Sequence, residues 1–356
     1  MDSHEDKRSK RKMKICLLSR FFDLRHGGIG RYSMELEKRL EEMGQEVKAI
    51  SQDGGIPLGE GRIKYLTYTL FEIKFKIPKS FDLYHACSPT EAFHAPKPLV
   101  VFFHDLIPLI YLKESKDWPL KMFPKKFIKW FDGNYFKLAS LKAIEKADKI
   151  LTQSEHVKDE LIEIFKVEED RIDVVRHGIK EDLEPRSKSD DTFRIGTLSY
   201  LDPRKRIDIL IKAFLRADVD GELLIAGKGV DYPRLKKLAK VDPRIKFLGF
   251  MPDKLLVDFY NLLDVFIFPT KIEGYGLPMV EAMACKKPVV TLSDSIIPED
   301  VKKRTIIVDD LEKWLADPDF SNINLDENYK FAKSHDWRKC ALKHIKAFEE
   351  VLDRNR

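Results

Sequence analysis

Residues 264–285 read DVFIFPTKIEGYGLPMVEAMAC. DVFIFPT is a short apolar run of strand type, and PMVEAMAC that follows has the character of a helix. Pro278 suits a first helical position, where its missing N–H costs nothing. The loop 269–277 therefore leaves a buried strand at its carboxyl end and feeds a helix whose N-terminus points the same way. Free N–H groups and the helix dipole favour phosphate there. Gly274 and Gly276 let backbone approach a ligand closely. Glu273 sits in the loop and Glu281 about one turn into the helix, so both suit hydroxyl groups. An anion-seeking terminus with two hydroxyl-seeking carboxylates fits a molecule that carries phosphates and sugars.

The same strand-then-helix unit recurs outward in both directions. KICLLS (14–19), EVKAIS (46–51), DLYHAC (82–87), PLVVFFH (98–104), KILTQS (149–154) and IDVVRH (172–177) read as strands. EPRSKSDD (184–191) is charged, lacks core residues and reads as a linker. The alternation then restarts with FRIGTLS, ELLIAG, RIKFLGF, DVFIFPT, KPVVTLS and RTIIVD. Short apolar strands between amphipathic helices imply parallel βαβ units. The expected architecture is α/β, with two doubly wound Rossmann-like domains facing across a cleft. Expected bounds are a lead at 1–12, a first domain at 13–185, a linker at 186–192 and a second domain at 193–335. An amphipathic helix, WRKCALKHIKAFEEVLDR, fills most of 336–356.

Composition excludes several classes. The chain has 356 residues, 43% hydrophobic and 35% charged, with a net charge of +5. That balance is globular and demands no nucleic acid. No apolar stretch reaches the length of a membrane span, and MDSHEDKRSKRKMK lacks the apolar core of a secretory signal. The four cysteines show no C-x-x-C and fit reduced thiols, so a cytoplasmic location is expected.

The order Glu-Gly-Tyr-Gly-Leu-Pro at 273–278 with a second Glu at 281 resembles the signature of family 4 retaining glycosyltransferases of the GT-B fold. DVFIFPT and KKPVV around it are also similar to that family. The resemblance runs from residue 13 to about 350. It implies transfer of a hexose, mannose or glucose favoured, from a GDP- or UDP-linked sugar to a glycan or lipid-linked hydroxyl, with retention at the anomeric carbon. It implies a final helix that crosses back to the first domain. It assigns the catalytic roles to His104, Lys205 and Glu273. The donor diphosphate falls to Gly27, Gly28, Arg204, Lys205, Gly276 and Leu277, and the donor sugar to His104, Glu273, Gly274 and Tyr275. Gly227, Phe250, Met251 and Glu281 take the nucleoside. Thr197 stands where many relatives carry Arg, so Arg204 or Arg206 is the candidate replacement cation.

Other signals compete. Gly28, Gly30 and residue 33 lie at dinucleotide-fingerprint spacing, but residue 33 is Ser. An NAD(P)-dependent oxidoreductase, a GT-B sugar-nucleotide epimerase and a non-catalytic sugar-nucleotide binder are the alternatives. Asp218-Val-Asp220 precedes the strand ELLIAG and reads as a turn at the wrong end for a metal. No His/Cys cluster has zinc spacing, so neither a metal nor a cofactor is expected. Residues 113–142 carry eight lysines against three acids, interleaved with Trp118, Phe123, Trp130 and Phe131. Such a basic aromatic helix fits peripheral contact with an anionic membrane.

Overall fold

A computed structural model describes residues 11–24, 27–51, 73–114 and 123–355, with 111–114 and 123–132 as backbone. Residues 115–122 of the basic run 113–142, and residues 1–10 of the expected lead 1–12, lie outside the described residues. The chain divides into two compact units.

Unit 1 holds residues up to Thr152, Val157–Val175 and Trp337–Arg356. Its elements are β1 (Lys14–Leu18), α1 (Gly27–Glu42), β2 (Glu46–Ile50), β3 (Leu83–Ala86), β4 (Leu99–Phe103), α2 (Ile107–Glu114), α3 (Phe123–Lys146), β5 (Lys149–Thr152), α4 (Glu155–Phe165) and β6 (Ile172–Val174). The six strands form one parallel sheet, ordered β2-β1-β3-β4-β5-β6. Strand periodicity explains its two cores. Cys16 and Leu18 face one cluster, whereas Ile15 and Leu17 face the other.

Unit 2 holds Gln153–His156 and Arg176–Asp336. It contains β7 (Arg194–Leu198), α5 (Ile207–Arg216), β8 (Glu222–Ala226), α6 (Tyr232–Ala239), β9 (Ile245–Gly249), α7 (Leu256–Leu262), β10 (Val265–Ile267), α8 (Leu277–Ala284), β11 (Val289–Leu292), β12 (Ile306–Val308), α9 (Leu311–Ala316) and α10 (Leu325–Lys333). The parallel sheet runs β12-β11-β10-β7-β8-β9. That is the dinucleotide-domain order, which reverses direction between β7 and β10. Again one residue parity packs each face: Leu223 and Ile225 on one side, Leu224 and Ala226 on the other.

The last helix, α11 (Trp337–Arg354), returns to unit 1. Trp337, Ala341 and Phe348 share a core with Leu36 and Leu40 of α1. The Tyr32 hydroxyl lies 2.7 Å from His85 Nε2 and 2.8 Å from His344 Nε2.

The unit boundary departs from the expected one. Residues 176–185 belong to unit 2, because Ile179 and Leu183 are buried in its core. The charged stretch after them is also pinned rather than loose. The Arg186 N–H donates to Asn261 at 2.7 Å, and Lys188 pairs with Asp264 at 2.6 Å. Its charges find partners on the unit surface, which a reading of hydropathy alone does not reveal.

Candidate active site

In an open parallel sheet, ligands bind outside the strand carboxyl ends where the strand order reverses. In unit 2 this point lies between β7 and β10, and the loops that follow those strands carry Arg204, Lys205 and Glu273. The β7 loop is held by Asp202, whose side chain accepts from Arg204 N at 2.9 Å and opens the turn Pro203–Lys205. Arg206 closes the turn in the left-handed region, with φ 52°. Its guanidinium donates to the Pro269 carbonyl at 2.7 Å and the Thr270 carbonyl at 2.9 Å. It also pairs with Asp294 at 2.8 Å. Arg206 is thus committed to bracing the β10 loop, which leaves Arg204 as the better candidate for the charge that Thr197 lacks.

Glu273 is the centre of the cluster. Its Oε1 accepts from Lys205 Nζ, from Thr270 Oγ1 at 2.5 Å and lies 3.3 Å from Arg204 Nη1. Arg204 also donates to the Ile272 carbonyl. The Lys205 ammonium sits 5.0 Å above the Phe268 ring. Burial opposes the charge on Glu273, but Lys205 and Arg204 outweigh it, and the carboxyl is held below its usual range. Among the described residues, the hydrogen bonds that Glu273 accepts fall on Oε1. One carboxylate oxygen is saturated by cations and a hydroxyl.

Beyond Glu273, the loop enters α8 through Gly276, whose φ of 89° is left-handed. That left-handed backbone is what favours glycine at this cap, since the atom a Cβ would meet is the movable end of Met279. The Met279 N–H bonds back to the Gly276 carbonyl at 2.9 Å. Leu277, half-buried, starts the helix, and Gly274 lies buried in the loop. Glu281 is buried in α8, and its Oε2 accepts from Tyr260 at 2.7 Å. Tyr275 turns its side chain inward. Its ring is buried in the unit 2 core, and its hydroxyl lies 2.5 Å from His335 Nε2. The phenol anchors the loop from below, so its side chain is not available to a sugar.

The β8 and β9 loops stand beside this cluster in sheet order. Gly227 has φ 122°, and a Cβ there would sit 1.8 Å from the Ser199 carbonyl. This glycine lets the β8 loop touch the β7 loop, a packing reason that stands independently of any nucleoside. Phe250 is exposed and Met251 is half-buried against the unit 2 core.

Gly27, Gly28 and His104 belong to unit 1. Gly27 and Gly28 are exposed at the start of α1, after β1. Neither would crowd a neighbour with a Cβ, but Gly27 has φ 72°, a left-handed backbone that favours glycine, whereas Gly28 has neither reason to be glycine. His104 follows β4 and lies 2.9 Å from the Cys87 carbonyl through Nε2. Burial pushes its pKa down to about 4, so the ring is neutral at pH 7. Asp105 caps α2 by accepting from Ile107 N at 3.0 Å. Ser33 fills the place of the third fingerprint glycine, its hydroxyl 2.7 Å from Ser19 Oγ.

Sequence reasoning missed Thr270 and Tyr260, which orient the two glutamates. Thr270 was within reach of inspection, three residues before Glu273 in one loop; Tyr260 was not, because α7 meets α8 only in the fold. Asp218 lies in a turn before β8, with φ 48°. Among the described residues, no group of three or more His, Cys, Asp or Glu side chains is arranged to hold a metal ion.

Residues 26–183 match the family described as Glycosyltransferase Family 4, and residues 192–317 match Glycosyl transferases group 1. The chain is a family 4 glycosyltransferase. This glycosyltransferase is 25% identical to the O-antigen chain mannosyltransferase B of Escherichia coli, over 90% of this chain and 96% of that one. It is 34% identical to the GDP-mannose-dependent monoacylated alpha-(1-6)-phosphatidylinositol monomannoside mannosyltransferase of Corynebacterium glutamicum, over 34% of each chain. Its fold is similar to that of the sucrose-phosphate synthase of Thermosynechococcus elongatus, with a TM-score of 0.73 over 96% of this chain and all of that one at 17% identity. At that identity the likeness concerns fold alone, and the fold is GT-B.

Proposed function

We propose that this glycosyltransferase moves a hexose, mannose favoured over glucose, from a nucleotide-diphosphate sugar to a hydroxyl of a glycan or lipid-linked acceptor. The observation that carries the reading is the divided use of Glu273. Cations and Thr270 occupy Oε1, at the point where the sheet reverses. Such a group can accept from a sugar hydroxyl while its cations stay beside a diphosphate. A lysine ammonium has three donors, so Lys205 can keep Glu273 and still reach a phosphate oxygen. The similarity to two mannosyltransferases supports mannose as the sugar.

In the proposed reaction the bond between the anomeric carbon and the diphosphate oxygen breaks while the acceptor oxygen attacks the same face. The departing phosphate oxygen takes the acceptor's proton. Lys205 and Arg204 stabilise the growing negative charge, the work that a preorganised electrostatic site does best. Glu273 holds donor-sugar hydroxyls, and Glu281, held by Tyr260, faces the ribose. Leu277 approaches the diphosphate with backbone. No metal is required in this scheme, and the enzyme works in the cytoplasm at the inner membrane face when its acceptor is a lipid.

A thermal-shift panel of GDP- and UDP-linked hexoses tests the reading. A ligand at a hundred times its dissociation constant adds about 2.7 kcal/mol. Glu273→Gln should keep nucleotide binding yet lose most of the turnover. If no nucleotide sugar raises the melting temperature, the proposal fails. NMR of the product's anomeric configuration decides between retention and inversion. Release of free nucleotide without a glycosylated product would favour the epimerase.

A further inference from the structure

Three loops at the carboxyl edge of β7, β8 and β9 are locked to one another by backbone. Leu201 N donates to the Lys228 carbonyl at 3.1 Å, and Asp231 N donates to the Leu201 carbonyl at 3.0 Å. Gly227 N donates to the Gly249 carbonyl at 2.6 Å. Gly227 and Gly229 flank Lys228, and a Cβ at either would strike backbone, at 1.8 Å from Ser199 O and 2.2 Å from Leu201 O. Lys228 is therefore presented from a fixed backbone. Its ammonium lies 4.9 Å from the centroid of the Phe250 ring. The surface around it is unusually apolar for an edge of loops: Tyr200 is 60% exposed, Val230 71% and Phe250 40%.

We propose that Lys228 and Phe250 select the nucleobase of the donor, and that they select guanine. This deepens the reading above and rests on it. An exposed ammonium–ring contact is weaker than the stacking of a nucleobase on an aromatic side chain. An arriving base therefore displaces Lys228 from the ring face, and the ammonium turns to the base edge. Guanine presents O6 and N7 together as acceptors, the pattern that lysine reads. Uracil offers one carbonyl on that edge and a smaller ring to stack. Adenine presents an amino donor where guanine has O6, which faces an ammonium unfavourably.

The test is equilibrium binding of GDP, UDP and ADP to the full chain and to the Lys228→Met, Lys228→Arg and Phe250→Ala variants. Wild type should rank GDP above UDP above ADP. Lys228→Met should weaken GDP by about tenfold, within the range for a lost base-edge contact, and change UDP by less than about twofold. Lys228→Arg should restore GDP, and Phe250→Ala should weaken GDP and UDP alike. Equal losses for GDP and UDP in Lys228→Met would make Lys228 a phosphate ligand and overturn the inference, as would no loss or a wild-type preference for UDP. If wild type binds none of the three, the proposed function itself falls.

Discussion

Glu273 in unit 2 and the histidine cluster of unit 1 answer burial in opposite ways. In unit 2, Glu273 is buried beside two cations and stays ionised, its pKa held below the usual range. In unit 1, burial dominates at His104 and His344, which stay neutral, each pushed down to about 4. His85 is also pushed down, by burial and by neighbouring His344. Glu91, in the turn after β3, moves upward from burial despite bonds from Ser88 and Thr90. Burial disfavours charge in both places, and partners decide the outcome. A site for a diphosphate needs fixed positive charge, which unit 2 supplies at its strand reversal. The buried histidines of unit 1 supply no such fixed charge.

The sharpest way to break this contrast is Lys205→Ala. Turnover should fall about 10²- to 10³-fold, the range for losing one preorganised electrostatic contact. An unchanged rate in a steady-state assay would remove Lys205 from the site and leave the unit 2 charge cluster structural. Gly227→Ala comes next. A backbone clash at φ 122° should cost about 3 kcal/mol in urea unfolding. Gly28→Ala should shift stability by no more than about 1 kcal/mol, because nothing lies near its Cβ. Any activity that Gly28→Ala loses is then a loss of ligand contact.

Acid titration probes the unit 1 half. Unfolded histidine has a pKa near 6.5, and the folded values of His104 and His344 are about 4. The unfolded chain therefore binds more protons in this interval. Their contribution is complete above pH 6.5 and declines as pH falls toward 4. Each buried histidine should lower stability by about 1 kcal/mol per pH unit across that window. Flat urea midpoints between pH 6.5 and 5 would mean that the cluster is already charged or solvated. The smallest effect belongs to Tyr275→Phe. Losing the hydroxyl bonded to His335 should cost about 1 kcal/mol in thermal unfolding and leave turnover intact. A large loss of activity would return the Tyr275 side chain to the sugar.

Both sheets were legible because their strands are short apolar runs, the inner ones buried on both parities, a pattern that needs no tertiary information. The Glu273–Glu281 stretch was legible for the same reason: loop, glycine, proline and helix occur in one continuous segment. Other features were hidden by distance along the chain. Tyr260 meets Glu281 only because α7 packs beside α8. Tyr32 joins His85 to His344, 312 positions away, only because α11 returns to unit 1. Arg206 and Arg204 look equivalent in PRKRI, and a left-handed turn alone separates a brace from a candidate ligand.

By itself, then, the order of residues determined two parallel α/β sheets, the loops at their carboxyl ends and the acidic loop between β10 and α8, since these depend on local periodicity and turn chemistry. Tertiary structure decided which charges are spent on the protein and which side chains are turned into the core. Those outcomes depend on partners brought from far along the chain, and on burial, which acts on a group only once its neighbours surround it.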